Sequence, residues 1–142
     1  MNESKFDKFG REVGNKLSTD EFFLKLKSFF FNGNTYRVEL IDPILRKLKN
    51  LLFIFENKLN KYRFYDSSIL ITYDGYNTNI NGYRKDSPDS LVNVHLIDFT
   101  HVKYDERVEN TPDEGYIKGL KNVIEKLEGV KNDITKTNNF QH

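Results

Sequence analysis

Leu91 to His101, LVNVHLIDFTH, is the stretch from which the fold can be read. Val92, Val94 and Leu96 alternate with Asn93, His95 and Ile97, the period of two expected of a strand with one face buried. The alternation stops at a carboxylate, Asp98. An aspartate at such a point can offer its oxygens to a metal ion and to the phosphates that ion carries, because Mg²⁺ takes one or two carboxylates together with phosphate oxygens. The alternative role is a turn carboxylate that accepts backbone N–H bonds.

Upstream, Ser67 to Tyr73, SSILITY, reads as a second strand ending in Asp74-Gly75. The run from Tyr76 to Ser90 is rich in Asn, Gly, Asp and Pro and reads as an exposed loop. Loop and flanking runs together predict an antiparallel pair, residues 68–74 against 91–98, joined by a long connection. That pairing brings Ser68 and Asp98 to the same end of the sheet, where a hydroxyl and a carboxylate could share one metal-phosphate cluster.

Helices surround the pair. Residues 1–15 are polar with glycine and asparagine breaks, and Ser18 and Glu21 then stand at capping-box spacing. Phe22, Phe23, Leu26, Phe29 and Phe30 follow at helical intervals, a stripe expected to be core, over a helix near 19–31. Asp42-Pro43 can start a second helix, near 43–61, although helical structure could begin earlier. Its apolar stripe is Ile44, Leu45, Leu48, Leu51, Leu52, Phe55 and Leu59. Arg46, Lys47, Lys49, Lys58 and Lys61 occupy the other faces, with Glu56 opposing them, and form either a solvated face or an anion-binding one.

A third helix is expected near 112–128, with Thr111 as N-cap, Pro112 in the first turn and Glu114 completing a capping box. Ile117, Leu120, Val123, Ile124 and Leu127 form its buried face, and Gly129 is the expected C-cap. Gly115 and Gly119 share one side of it, which suggests close approach by another backbone. Residues 131–142 are expected to be a polar tail, frayed after Asn132.

With 142 residues the chain is one domain or part of one. The net charge of +1 gives no whole-molecule field for nucleic acid or a membrane surface, and no apolar run is long enough to span a bilayer. Cysteine is absent, which rules out disulfides and thiolate zinc sites and fits a cytoplasmic or nuclear location.

Four ordered segments carry a resemblance: SSIL at Ser67–Leu70, YDG at Tyr73–Gly75, LIDFTH at Leu96–His101 and DEGYIKGL at Asp113–Leu120. In order and approximate spacing they resemble the inositol polyphosphate kinase family, which phosphorylates soluble inositol phosphates with ATP on a two-lobed fold distantly like that of protein kinases. KFDKFGREV near the start resembles the family's Lys-aromatic-x-Gly-Arg segment. FFFNGNTYRVELIDPILRKL is similar to a stretch of the inositol hexakisphosphate kinase branch, and the resemblance covers roughly residues 5–130.

This resemblance implies an α+β fold, the C-terminal lobe of such a kinase, with a small antiparallel sheet packed on helices. It implies ATP and Mg²⁺ as cofactors and an inositol polyphosphate as substrate. Asp98 resembles the family aspartate that holds the metal bridging the ATP phosphates, and Ser68 resembles the serine that joins the metal and nucleotide site. Asp113, Gly115, Tyr116 and Gly119 match a motif that supports the lobe. His101 stands where the family often has histidine and is expected to be structural, while His95 is expected at the surface or in packing.

One family motif is missing. The pattern Pro-x-x-x-Asp-x-Lys-x-Gly, which handles the acceptor hydroxyl, has no match, since Asp7 and Lys8 are adjacent and no proline precedes them. No catalytic residue is therefore assigned. The sequence looks like one lobe of a kinase and is expected to present apolar surface that a partner lobe would cover. The competing function is a non-catalytic anion-binding or scaffold module that retains the fold.

Overall fold

The computed structural model describes residues 10–74, 87–106 and 111–139. A helical turn, α1 (Arg11–Gly14), precedes α2 (Thr19–Phe29). Ser18 and Glu21 close the expected capping box: the Ser18 N–H donates to the Glu21 carboxylate at 2.8 Å and the Glu21 N–H donates back to the Ser18 hydroxyl at 3.3 Å. The phenylalanine stripe divides. Phe30 is buried and Phe23 and Leu26 are half-buried, but Phe22 and Phe29 remain exposed, which corrects the expectation that the whole stripe is core. The helix lies at the rim, and Phe23 meets α4 (Glu114–Asn139) at Gly129, where an added Cβ would stand 3.3 Å from the ring.

Helical structure does begin before Asp42. A 3-10 turn, Val38–Leu40, runs into α3 (Ile41–Asn57), and Pro43 sits in the first turn, where a missing N–H costs nothing. Ile41, Ile44, Leu45, Leu48 and Phe55 of α3 pack against Ile117, Leu120, Ile124, Leu127, Val130 and Ile134 of α4 to form the centre of the core.

Four readings of α4 are corrected. Its cap is Asp113, whose carboxylate accepts the Tyr116 N–H at 3.1 Å; Thr111 instead receives the Arg63 guanidinium. Gly129 does not end the helix, which continues to Asn139 because Val130 and Ile134 extend the buried face in helical register. The expected fraying after Asn132 is therefore absent as far as Asn139. Among the described residues no backbone closes on Gly115 or Gly119: a Cβ at Gly119 would meet nothing within 4 Å, and one at Gly115 would meet the Asp113 carboxylate at 3.6 Å.

Four short strands complete the fold of the described residues. β1 (Tyr62–Tyr65) pairs antiparallel with β4 (His101–Tyr104), and β2 (Ser68–Tyr73) pairs antiparallel with β3 (Val92–Ile97). The β2–β3 pair is the one expected from sequence, and the β1–β4 pair adds to it. Most of the connection between β2 and β3 lies outside the described residues, and Ser87–Ser90 form a turn ahead of β3. The apolar faces of β2 and β3, Ile69, Ile71, Val94 and Leu96, lie half-buried on the helical core.

Where β1 meets the helices, Phe55 stacks on Tyr116 at 4.4 Å between ring centroids and tilts onto Phe64 at 4.7 Å. The Tyr116 hydroxyl is buried and, among the described residues, has no hydrogen-bond partner. Burial, with a smaller push from Asp113, raises it from an ordinary 10.0 to about 12. Folding thus favours the neutral phenol: this contribution is intact below the unfolded value of 10.0 and is lost as pH rises through about 12. Tyr116→Phe is expected to be neutral or slightly stabilising at pH 7, because it removes an unpaired buried hydroxyl. Urea unfolding of wild type and variant at pH 7 and pH 11 checks this; the variant should lose less stability over that interval.

Large apolar side chains stand at the surface: Leu24, Phe53 and Phe99 are 62%, 58% and 55% exposed. Among the described residues, no helix is long and apolar enough to cross a membrane.

Candidate active site

The two strand pairs are separate two-stranded sheets that follow one another along the same two segments of chain. Tyr65 faces His101 in one and Ser68 faces Ile97 in the other. Between these pairs lie two residues on one side, Asp66 and Ser67, and three on the other, Asp98, Phe99 and Thr100. Three residues opposing two is a bulge, a device that bends a ribbon and re-aims side chains. Asp66 and Asp98 both adopt left-handed backbone there, with φ of 57° and 63°, and among the described residues no other non-glycine residue has positive φ. Asp tolerates that region better than most residues, which accounts for aspartate at both corners.

The bulge opens onto a concavity of about 610 Å³ lined by Arg11, Asp66, Ser67, Ser68, Asp98 and His101. Ser68 and Asp98 thus come together as the sequence predicts. One Asp98 carboxylate oxygen accepts the Thr100 hydroxyl at 2.9 Å, which fixes its orientation. The Arg11 guanidinium stands 3.7 Å from the Asp66 carboxylate.

His101 departs from its expected structural role, since its side chain is exposed on the concavity, whereas His95 is exposed elsewhere along β3 as expected. Arg11, which closes the Lys-aromatic-x-Gly-Arg segment, and Asp66 were given no role at the site by the sequence reading. Among the described residues no three His, Cys, Asp or Glu side chains form a metal-holding group; a hard cation carried on phosphate oxygens takes only one or two carboxylates from the protein. A carboxylate and a hydroxyl are ligands of the right chemistry for such an ion.

A larger concavity, about 730 Å³, adjoins the first and shares Asp66, Ser67 and Ser68 with it. Phe64 lines it, with Tyr116 and Leu120 of α4, and Gly115 and Gly119 add no side chain to that helical wall. Its lining carries fewer charged groups than that of the first.

The basic face of α3 does not form an anion site around Arg46 and Lys49. Arg46 places a guanidinium nitrogen 2.6 Å from both Asp89 oxygens, and Lys49 pairs with Glu128 at 2.7 Å. Glu56, the opposing acid, pairs with Lys121 of α4 at 2.8 Å. The Arg46 pair holds Asp89 below the usual carboxylate range through its hydrogen bond.

An α+β lobe with these two strand pairs has the fold of the inositol phosphate multikinases. One such structure superposes with a TM-score of 0.67 at 26% identity, over 90% of this chain and 56% of that one. A second, the multikinase of S. cerevisiae in complex with ADP and Mn²⁺, gives 0.59 at 18% identity over 85% of this chain and 59% of that one, a likeness of fold.

The family model for inositol polyphosphate kinase matches residues 1–128, so the chain belongs to the inositol polyphosphate kinase family. It is 37% identical to inositol hexakisphosphate kinase 3 of Mus musculus over 132 residues, which is 85% of this chain and 32% of that protein. Against inositol hexakisphosphate kinase 2 of Oryctolagus cuniculus it is 32% identical over 148 aligned residues, 84% of this chain and 35% of that one. The chain therefore spans about a third of the length of these curated relatives.

Proposed function

We propose that this chain forms the metal- and phosphate-binding lobe of an ATP-dependent inositol polyphosphate kinase, with Asp98 and Ser68 as the groups that meet Mg²⁺ on the nucleotide phosphates. The observation that carries this reading is the meeting of Ser68 and Asp98 at one bulge, in one open concavity that also contains a guanidinium and an imidazole. Similarity to inositol hexakisphosphate kinases supports a highly phosphorylated inositol as acceptor. The S. cerevisiae multikinase, solved with ADP and Mn²⁺, is consistent with nucleotide and divalent metal use.

Phosphoryl transfer relies on positioning and charge stabilisation, and each residue has a place in that. A bound Mg²⁺ would neutralise charge on the phosphates. Asp98, oriented by Thr100, would anchor that ion, and Ser68 would add a neutral oxygen. His101 stands within the same concavity, where its protonated form can donate to phosphate oxygens. The acceptor-side Asp-x-Lys pair is not among these residues, so this lobe performs the nucleotide-metal share of the reaction.

The reading is tested by titrating Mg²⁺-ATP into the 142-residue chain and following amide shifts in β2 and β3. Binding near millimolar is expected, about 4 kcal/mol. EDTA should abolish it, and Ser68→Ala should weaken it about three- to tenfold through loss of one oxygen contact. Binding indifferent to metal would sink the reading. The alternative, an anion-binding scaffold working through α3, is not favoured, because Arg46 and Lys49 are held by carboxylates.

A further inference from the structure

We infer that Arg11 is a substrate-binding residue kept in reserve by Asp66, and that a phosphomonoester entering the concavity takes the guanidinium away from that carboxylate. This rests on the reading of the concavity as a phosphate site. Nothing in the motif resemblance assigned a role to either residue, and the inference comes from how loosely the pair is made.

The separation of 3.7 Å is too long for a charge-assisted hydrogen bond, which closes to about 2.7–2.9 Å. Other ion pairs of the same molecule do close: Arg46 to Asp89 at 2.6 Å and Lys131 to Asp42 at 2.8 Å. Both members are also largely solvated, 84% and 64% exposed, and such pairs shift an equilibrium by about fivefold at most. A phosphate dianion offers the planar guanidinium two parallel hydrogen bonds and twice the charge, so it outcompetes the carboxylate.

The location supports the same conclusion. Arg11 belongs to the one-turn helix α1, yet its side chain lines the concavity beside Ser68, Asp98 and His101. Two carboxylates, Asp66 and Asp98, face that space and repel an incoming phosphate. Asp98 has a counterion if a metal arrives with the phosphates. Among the described residues the ion-pair partner of Asp66 is Arg11, at 3.7 Å, so the cation that screens Asp66 is also the one best placed to receive the anion. Removing the Asp66 charge should therefore strengthen phosphate binding, a sign opposite to that of a structural ion pair.

The experiment titrates the chain separately with Mg²⁺-ATP and with metal-free inositol hexakisphosphate, for wild type, Arg11→Ala, Arg11→Lys, Asp66→Asn and the Arg11→Ala/Asp66→Asn double variant. Asparagine tolerates left-handed backbone as aspartate does, so Asp66→Asn removes charge and keeps the corner. Arg11→Ala should weaken at least one probe about tenfold, with partial rescue by lysine. Asp66→Asn should tighten the same probe about three- to fivefold, and the gain should shrink in the double variant. A loss confined to Mg²⁺-ATP assigns Arg11 to the nucleotide phosphates, and one confined to inositol hexakisphosphate assigns it to the acceptor.

Unchanged binding in Arg11→Ala, or weaker binding in Asp66→Asn, overturns the inference while an Asp98-dependent Mg²⁺-ATP response leaves the proposed function standing. If wild type binds neither probe, the phosphate reading of the concavity fails and takes the inference with it. Circular dichroism of each variant confirms that the fold is retained.

Discussion

Phe55→Ala is expected to remove about 3–5 kcal/mol of folding stability, the range for truncating a fully buried phenylalanine. Phe55 has no exposed surface, stacks on Tyr116 at 4.4 Å and meets Phe64 at 4.7 Å. It therefore joins three elements: the end of α3, the first turn of α4 and strand β1. Asp113 reinforces the same junction, since its carboxylate caps α4 and also accepts the Phe64 N–H at 2.8 Å.

The loss matters because single domains are stable by only about 5–15 kcal/mol in total. β1 also leads directly into the Asp66 corner, so loosening the junction should disorder the concavity before the whole chain unfolds. Phe53→Ala is the control: with that ring 58% exposed, the change should stay within about 0.5 kcal/mol. Urea unfolding followed by circular dichroism separates the two, and equal effects would contradict the assigned core.

The central part of this fold was legible because its signals are local. Alternation over Val92–Ile97 and Ser68–Tyr73 specified the β2–β3 pair, and the aliphatic stripe of Ile44, Leu45, Leu48 and Phe55 specified α3. β1 and β4 were not legible. YRFY and HVKY are four residues each, HVKY carries a single aliphatic residue, and their pairing is visible only once the chain is folded.

Helix α4 shows a misread signal rather than a missing one. Gly129 suggested a C-cap, yet Leu127, Val130 and Ile134 continue the stripe, and tertiary burial outweighs the roughly 1 kcal/mol helix penalty of glycine. At its other end, Pro112 drew the cap to Thr111, whereas Asp113 serves both the helix and β1.

The site divides in the same way. Ser68 and Asp98 could be placed together from strand pairing alone, since one register fixes both. Arg11 and Asp66 could not, because they meet across 55 positions of sequence only through the bulge and α1, neither of which has a local pattern. His101 opens β4, a strand not anticipated, so its exposure on the concavity had no sequence signal beyond its closeness to Asp98.

The second large effect concerns Asp98, and it is also the most direct test of the central claim that this carboxylate anchors a phosphate-bound metal. Asp98→Asn keeps the left-handed corner and can still accept the Thr100 hydroxyl, but it lacks the negative charge a hard cation needs. Asp74→Asn is the matched control: Asp74 follows the far end of β2, where its N–H donates to the Leu91 carbonyl at 3.0 Å, away from the bulge. The measurement is an Mg²⁺-ATP titration of wild type and both variants, read from amide shifts of β2 and β3. The expected result is a saturable response near millimolar in wild type and Asp74→Asn, about 4 kcal/mol of binding, that disappears in Asp98→Asn. Equal responses in wild type and Asp98→Asn, with the fold intact, would contradict the assignment and return Asp98 to the role of a turn carboxylate.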